Sequence, residues 1–183
     1  IRQDAFDRDS PSFSYNNYGS AIGCLLFNYY MLGMHKESMI SVEDYAKKAY
    51  FPPSLHGVSW VGIKQRQKIV ISSGFSGVDM SANQLITLAA HLYNHHLPML
   101  QYIAGVTRDA DGNVANKYIV DATQRNVSVN DSSSADEPPV IYKYSFGCWL
   151  PQFPGKTYIC FIGMLGQLVA IDLDTGLIAV RTF

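Results

Sequence analysis

The sequence predicts an α+β chain in which helices pack with an antiparallel sheet made of the C-terminal strands. Three observations carry this. Apolar residues recur at helical spacing through the first half, over 21–34, 42–50 and 82–95. From Val140 onward the pattern changes to short runs rich in β-branched and aromatic residues. Asp174-Thr175-Gly176, between the last two of those runs, suits a tight hairpin turn. Helices followed by consecutive strands mark α+β rather than an alternating α/β chain. Residues 1–139 are therefore mainly helix and loop, and 140–183 antiparallel strands.

The elements follow in order. Ala21–Met34 is a helix with Gly33 near its end. Val42–Tyr50 is a second, amphipathic helix; Ser41 caps it and Asp44 lies in its first turn, where a negative charge suits the helix dipole. Pro52-Pro53 stops it. Leu55–Gly77 is irregular, with a short strand at Lys68–Ser72. Ser81 caps a third helix, Ala82–His95, with Leu85, Leu88, Ala89 and Leu92 on one face. Asp111-Gly112 marks a turn, and Val127–Pro139, rich in Ser and Asp, is a mobile loop. Strands follow at Tyr142–Leu150, Lys156–Gly163, Leu168–Asp172 and Ile178–Phe183. A three- or four-stranded sheet open on one edge invites pairing with other chains, so these strands need covering by further structure.

Composition narrows the function. The sequence is 183 residues long, 48% hydrophobic and 16% charged, which suits a folded chain of one domain or most of one. A formal net charge of -1 gives no electrostatic attraction for nucleic acid, which needs a basic face. The longest apolar run, Ala21–Met34, is too short for a membrane span. Twelve tyrosines supply aromatic surface for a core or an interface (Tyr 12). Cys24, Cys148 and Cys160 lack metal-type spacing and read as buried thiols, with a Cys148–Cys160 disulfide open if their strands are neighbours. Asn126-Val127-Ser128 and Asn130-Asp131-Ser132 match the glycosylation sequon and lean toward an extracellular or secretory compartment.

The chemistry-bearing candidates are few. Tyr15 and Asn17, in Phe13-Ser14-Tyr15-Asn16-Asn17-Tyr18-Gly19, sit on a turn that feeds the first helix. From there a phenol can accept a proton if a cation lowers its pKa, and an amide can orient a substrate. His91 and His95 share a helix face at i, i+4, with His96 beside them. No Glu adjoins His91 and no third ligand is evident, so these read as histidines near a helix C-terminus and no metal is expected. Cys24, inside an apolar helix, lacks the surroundings that stabilise a thiolate.

The order of the segments adds a family resemblance. Tyr15-x-Asn17 is followed by the helix start Ser81-Ala82-x-x-Leu85 and the run Phe161-Ile162-Gly163-Met164-Leu165-Gly166-Gln167. This series resembles the serine β-lactamase-like hydrolases, the class C β-lactamase, esterase and 6-aminohexanoate-oligomer hydrolase branch of the penicillin-binding-protein superfamily. The resemblance covers most of the chain and implies a β-lactamase/transpeptidase-like fold, with 1–183 the C-terminal part of a single domain. It implies a serine acyl hydrolase acting on a small ester or amide through an acyl-enzyme, without a cofactor. Tyr15 would be the general base or proton relay, Asn17 the substrate-orienting residue, and Gln167 would lend an oxyanion N–H. Gly163, Met164, Leu165 and Gly166 would line the substrate on an edge strand beside the cleft, where Gly166 leaves room, and Trp149 would line the cleft.

Two departures stand out. No Ser in the sequence is followed three residues later by Lys, so the family's nucleophile must come from an N-terminal segment or a partner chain. Met164 stands where the family often has a cation or His. These departures favour the alternative, a non-catalytic structural or binding subunit of a larger assembly. A Ser-x-x-Lys upstream in the full gene product separates the two readings.

Overall fold

The computed structural model describes residues 22–24, 26–27, 29–30, 41–60, 62–64, 70–72, 78–122, 141–163 and 166–182. The described residues of 22–30 are helical, as the apolar run predicts. Helix α1, Val42–Tyr50, begins where expected: the Ser41 Oγ accepts the Asp44 N–H at 3.0 Å, and Glu43 and Lys47 pair one turn apart. A short 3₁₀ turn at Pro53–Leu55 follows.

The segment read as largely irregular holds small ladders. Strands β1 (Ser59–Trp60) and β4 (Val78–Asp79) pair, as do β2 (Gly62–Lys64) and β3 (Val70–Ser72), the last within the predicted Lys68–Ser72 strand. The loop expected at Val127–Pro139 lies outside the described residues.

Helix α2 runs Ala82–Ile103, well past the predicted end at His95. Its start is a capping box: Ser81 Oγ accepts from the Gln84 N–H, and Gln84 Oε1 accepts from the Ser81 N–H. Pro98 lacks the N–H that would bond back to Asn94, and its ring crowds that carbonyl. The helix answers with a kink at His96 (φ −129°, ψ 23°) and then continues. The apolar spacing persists beyond the kink at Leu97, Leu100 and Ile103, and this tertiary packing carries the helix past the proline.

Among the described residues six strands form one antiparallel sheet, in the order β10-β9-β8-β7-β6-β5. They are β5 Val120–Asp121, β6 Tyr142–Ser145, β7 Cys148–Phe153, β8 Lys156–Ile162, β9 Leu168–Asp172 and β10 Ile178–Arg181. The sheet is thus wider than the three or four strands expected. The predicted strand Tyr142–Leu150 is a hairpin. Phe146 (φ 47°) and Gly147 (φ 82°) form a turn with two positive φ angles, whose twist matches the flanking strands. A Phe in place of the usual Asn or Asp hides that turn in the sequence.

One face of the sheet packs on α2. Ile159, Ile171 and Ile178 stand opposite one another on three strands. With Leu150 and Cys148 they meet Ala89, Leu92, Tyr93, Leu97 and Leu100 of the helix. Ile159 and Ile171 are fully buried. The β9–β10 hairpin is fixed by Asp172, whose Oδ1 accepts the N–H groups of Asp174 and Thr175. Gly176 (φ 74°) completes the turn, and a Cβ there would lie 2.9 Å from the Tyr93 ring, so the site demands glycine twice over.

The sheet register separates the two cysteines. Cys160 stands opposite Trp149, so Cys148, the residue before Trp149, projects from the other face. No disulfide forms and both thiols are free and buried. Among the described residues no helix is long and apolar enough to cross a membrane.

Candidate functional site

The residues singled out near the C-terminus meet in the loop that joins β8 to β9. Ile162 and Leu168 form the last pair of the ladder, and the Gly163 N–H then closes the loop on the Gln167 carbonyl at 2.8 Å. Gly166 takes a left-handed conformation (φ 79°), and its carbonyl accepts the Arg181 Nε–H at 2.8 Å across the β9–β10 pair. A Cβ on Gly163 would stand 3.1 Å from Gln167 Oε1 and 3.2 Å from its Cβ, so the Gln167 side chain folds closely over this glycine. The strand ends thus hold Gly163, Gly166 and Gln167 together, with Gly163 and Gln167 exposed.

The Gly163 N–H is spent on the loop itself. Gln167 itself is exposed at the end of the loop.

The expected edge-strand setting is corrected. β8 is hydrogen-bonded on both sides, to β7 and β9, so the run sits at the end of an interior hairpin rather than along an edge. Both flanking strands come from the chain immediately before and after it, which leaves no room at its sides. A substrate would approach the loop end-on.

Trp149 lies on β7 opposite Cys160, on the same sheet face as Ile162 at the loop's edge. It is half-buried, with the rings of Tyr144 at 5.2 Å and Tyr142 at 6.1 Å. Tyr15, Asn17, Met164 and Leu165 lie outside the described residues.

Sequence reasoning missed Arg181, which pins the loop carbonyl. Its signal lies in the hairpin: pairing outward from Asp174-Thr175-Gly176 sets Arg181 opposite Leu168, next to the loop.

The remaining reactive groups are quiet. Burial pushes the Cys148 thiol up to about 12, with the nearby Cys160 adding to it, and burial pushes Cys160 up to about 11. Burial also raises Cys24. All three are poor nucleophiles at neutral pH. His91 lies against His95 (4.5 Å, tilted) and edge-on to His96 (5.8 Å), yet among the described residues no group of three or more His, Cys, Asp or Glu is placed to hold a metal ion.

Compared with protein-family models, with curated proteins and with solved structures, the chain shows no match.

Proposed function

We propose that this chain is the C-terminal part of a β-lactamase-like serine acyl hydrolase, completed by a Ser-x-x-Lys segment not contained in it. The observation that supports the reading is the Gly163–Gln167 loop, a glycine-containing strand end closed by the Gly163 N–H on the Gln167 carbonyl and tied by Arg181 to the Gly166 carbonyl, with Gly163 and Gln167 exposed.

In this reading the serine oxygen attacks the acyl carbon of a small ester or amide. Its proton passes to the lysine and Tyr15, and the carbonyl oxygen gathers negative charge against the Gln167 N–H. Collapse expels the alcohol or amine, which takes that proton. Water then attacks the acyl-enzyme, releasing the acid and restoring the serine. Asn17 orients the substrate and Trp149 supplies apolar wall.

The test begins with intact mass and N-terminal sequencing of the native protein, followed by a fluorescent phosphonate or penicillin probe. A longer species or a co-purifying chain that carries Ser-x-x-Lys and takes the label is expected. Tyr15→Phe should then lose most turnover, whereas Gln167→Ala, which keeps the backbone N–H, should lose little. A native protein without the motif and without label overturns the reading and leaves the non-catalytic subunit, which the missing Ser-x-x-Lys favours.

A further inference from the structure

A cleft of about 340 Å³ opens where the C-terminus of α2 meets the β7–β8 hairpin. It is separate from the Gly163–Gln167 loop. Lys156 opens β8 and the loop closes it, and seven residues of strand (Lys156–Ile162) span roughly 20 Å at about 3.4 Å each. Its volume falls in the range of small-molecule sites.

The lining has one sign of charge. Arg108 and Lys156 both contribute, and no carboxylate does. Arg108 has no ion-pair partner among the described residues, and its backbone is fixed by a β-bridge to Val114. The neighbouring carboxylate of Asp109 is committed to its own loop, accepting the N–H groups of Asp111 and Asn113. Lys156 Nζ stands 3.6 Å from Asp172 Oδ2, longer than a charge-assisted hydrogen bond, with its side chain 42% exposed. Arg108 is therefore open to a ligand, and Lys156, part-exposed and only loosely held by Asp172, can be shared with one.

The rest of the wall suits an amphipathic ligand. Leu150 gives a buried apolar floor and Thr157 brings a hydroxyl, while Tyr158 turns its ring to Phe153 on the other face of the sheet. The C-terminal carbonyls of α2 would repel an anion, but those of Leu100, Gln101 and Tyr102 already accept N–H groups from Ala104, Val106 and Gly105.

We infer that this cleft binds a small organic anion, with a carboxylate or phosphate head between Arg108 and Lys156 and its body over Leu150. The test titrates the full chain with benzoate, phenyl phosphate and the neutral isostere benzamide, by calorimetry and by ¹H–¹⁵N spectra. Saturable binding of at least one anion is expected, with shifts at the Gly105, Val106 and Thr157 amides. Stronger binding of one anion identifies the head group. R108A and K156A should each weaken binding at least about fivefold, as loss of one charge contact does. Because K156A also removes the contact with Asp172, R108A is the decisive variant, its folding checked by circular dichroism. Equal binding of benzamide, an R108A variant that binds as tightly as the parent, or no saturable binding at millimolar probe overturns the inference.

Discussion

At the scale of single residues, Phe146 carries the least comfortable backbone among the described residues. A non-glycine residue at φ 47° pays about 1–2 kcal/mol relative to an ordinary conformation. Its ring recovers part of this against Tyr118 (5.7 Å) and Tyr102 (6.2 Å), yet stays 57% exposed. Asn tolerates the left-handed region, and Asn-Gly is the preferred pair for this turn. Phe146→Asn should therefore raise stability by roughly 0.5–1 kcal/mol in urea denaturation. A loss instead would show that the two tyrosine contacts outweigh the strain. The same residue explains a misread strand: an aromatic side chain at a turn position looks, to any pattern of hydrophobicity, like a continuation of the strand.

At the scale of elements, the helix starts were legible and one helix end was not. Ser41 and Ser81 announce their helices through local chemistry, a hydroxyl set to accept an N–H three residues on. Ser81→Ala removes one half of a capping box and should cost about 1 kcal/mol, read as a lower midpoint in thermal or urea unfolding. An unchanged midpoint would mean that α2 is held by its sheet contacts alone. The far end of α2 depends on Leu97, Leu100 and Ile103 finding the sheet, a non-local gain that outweighs the break at Pro98. The strands β8, β9 and β10 were visible because each lies between clear turn residues. The cleft beside Arg108 and Lys156 was not, since it is assembled from three segments whose proximity no local pattern encodes.

At the scale of the whole molecule, two ionisable groups among the described residues tie stability to pH on the acid side. Burial, then the charges of His95 and His96, lower His91 from its ordinary 6.5, so the folded chain prefers it neutral. Below 6.5 the unfolded chain takes up the proton first, and stability falls with pH until the folded His91 also titrates. Burial alone would raise Asp172, but the Thr175 hydroxyl, the Asp174 and Thr175 N–H groups and Lys156 outweigh it and hold the carboxyl below 3.8. Its contribution is complete above 3.8 and is lost as pH falls through the depressed value. Urea midpoints against pH should thus decline in two separate stages, and His91→Gln should flatten only the upper one. A flat profile between neutral pH and the carboxylate range would refute the role of His91. For the candidate site, the sequence placed Gly163, Gly166 and Gln167 on an edge strand, whereas they form the loop between β8 and β9. The interior position of that loop was not legible, because it depends on which strands flank β8.

The aromatic row on the sheet face away from α2 has an optical consequence. Tyr142 and Tyr144 stand within one ring's reach of Trp149. Light absorbed by either phenol passes to the indole rather than leaving as tyrosine emission. Trp149 is thereby a reporter built into the β6–β7 hairpin: opening that hairpin separates donors from acceptor and restores tyrosine fluorescence. The protein carries its own probe beside the candidate site, and no dye needs to be attached to watch that face.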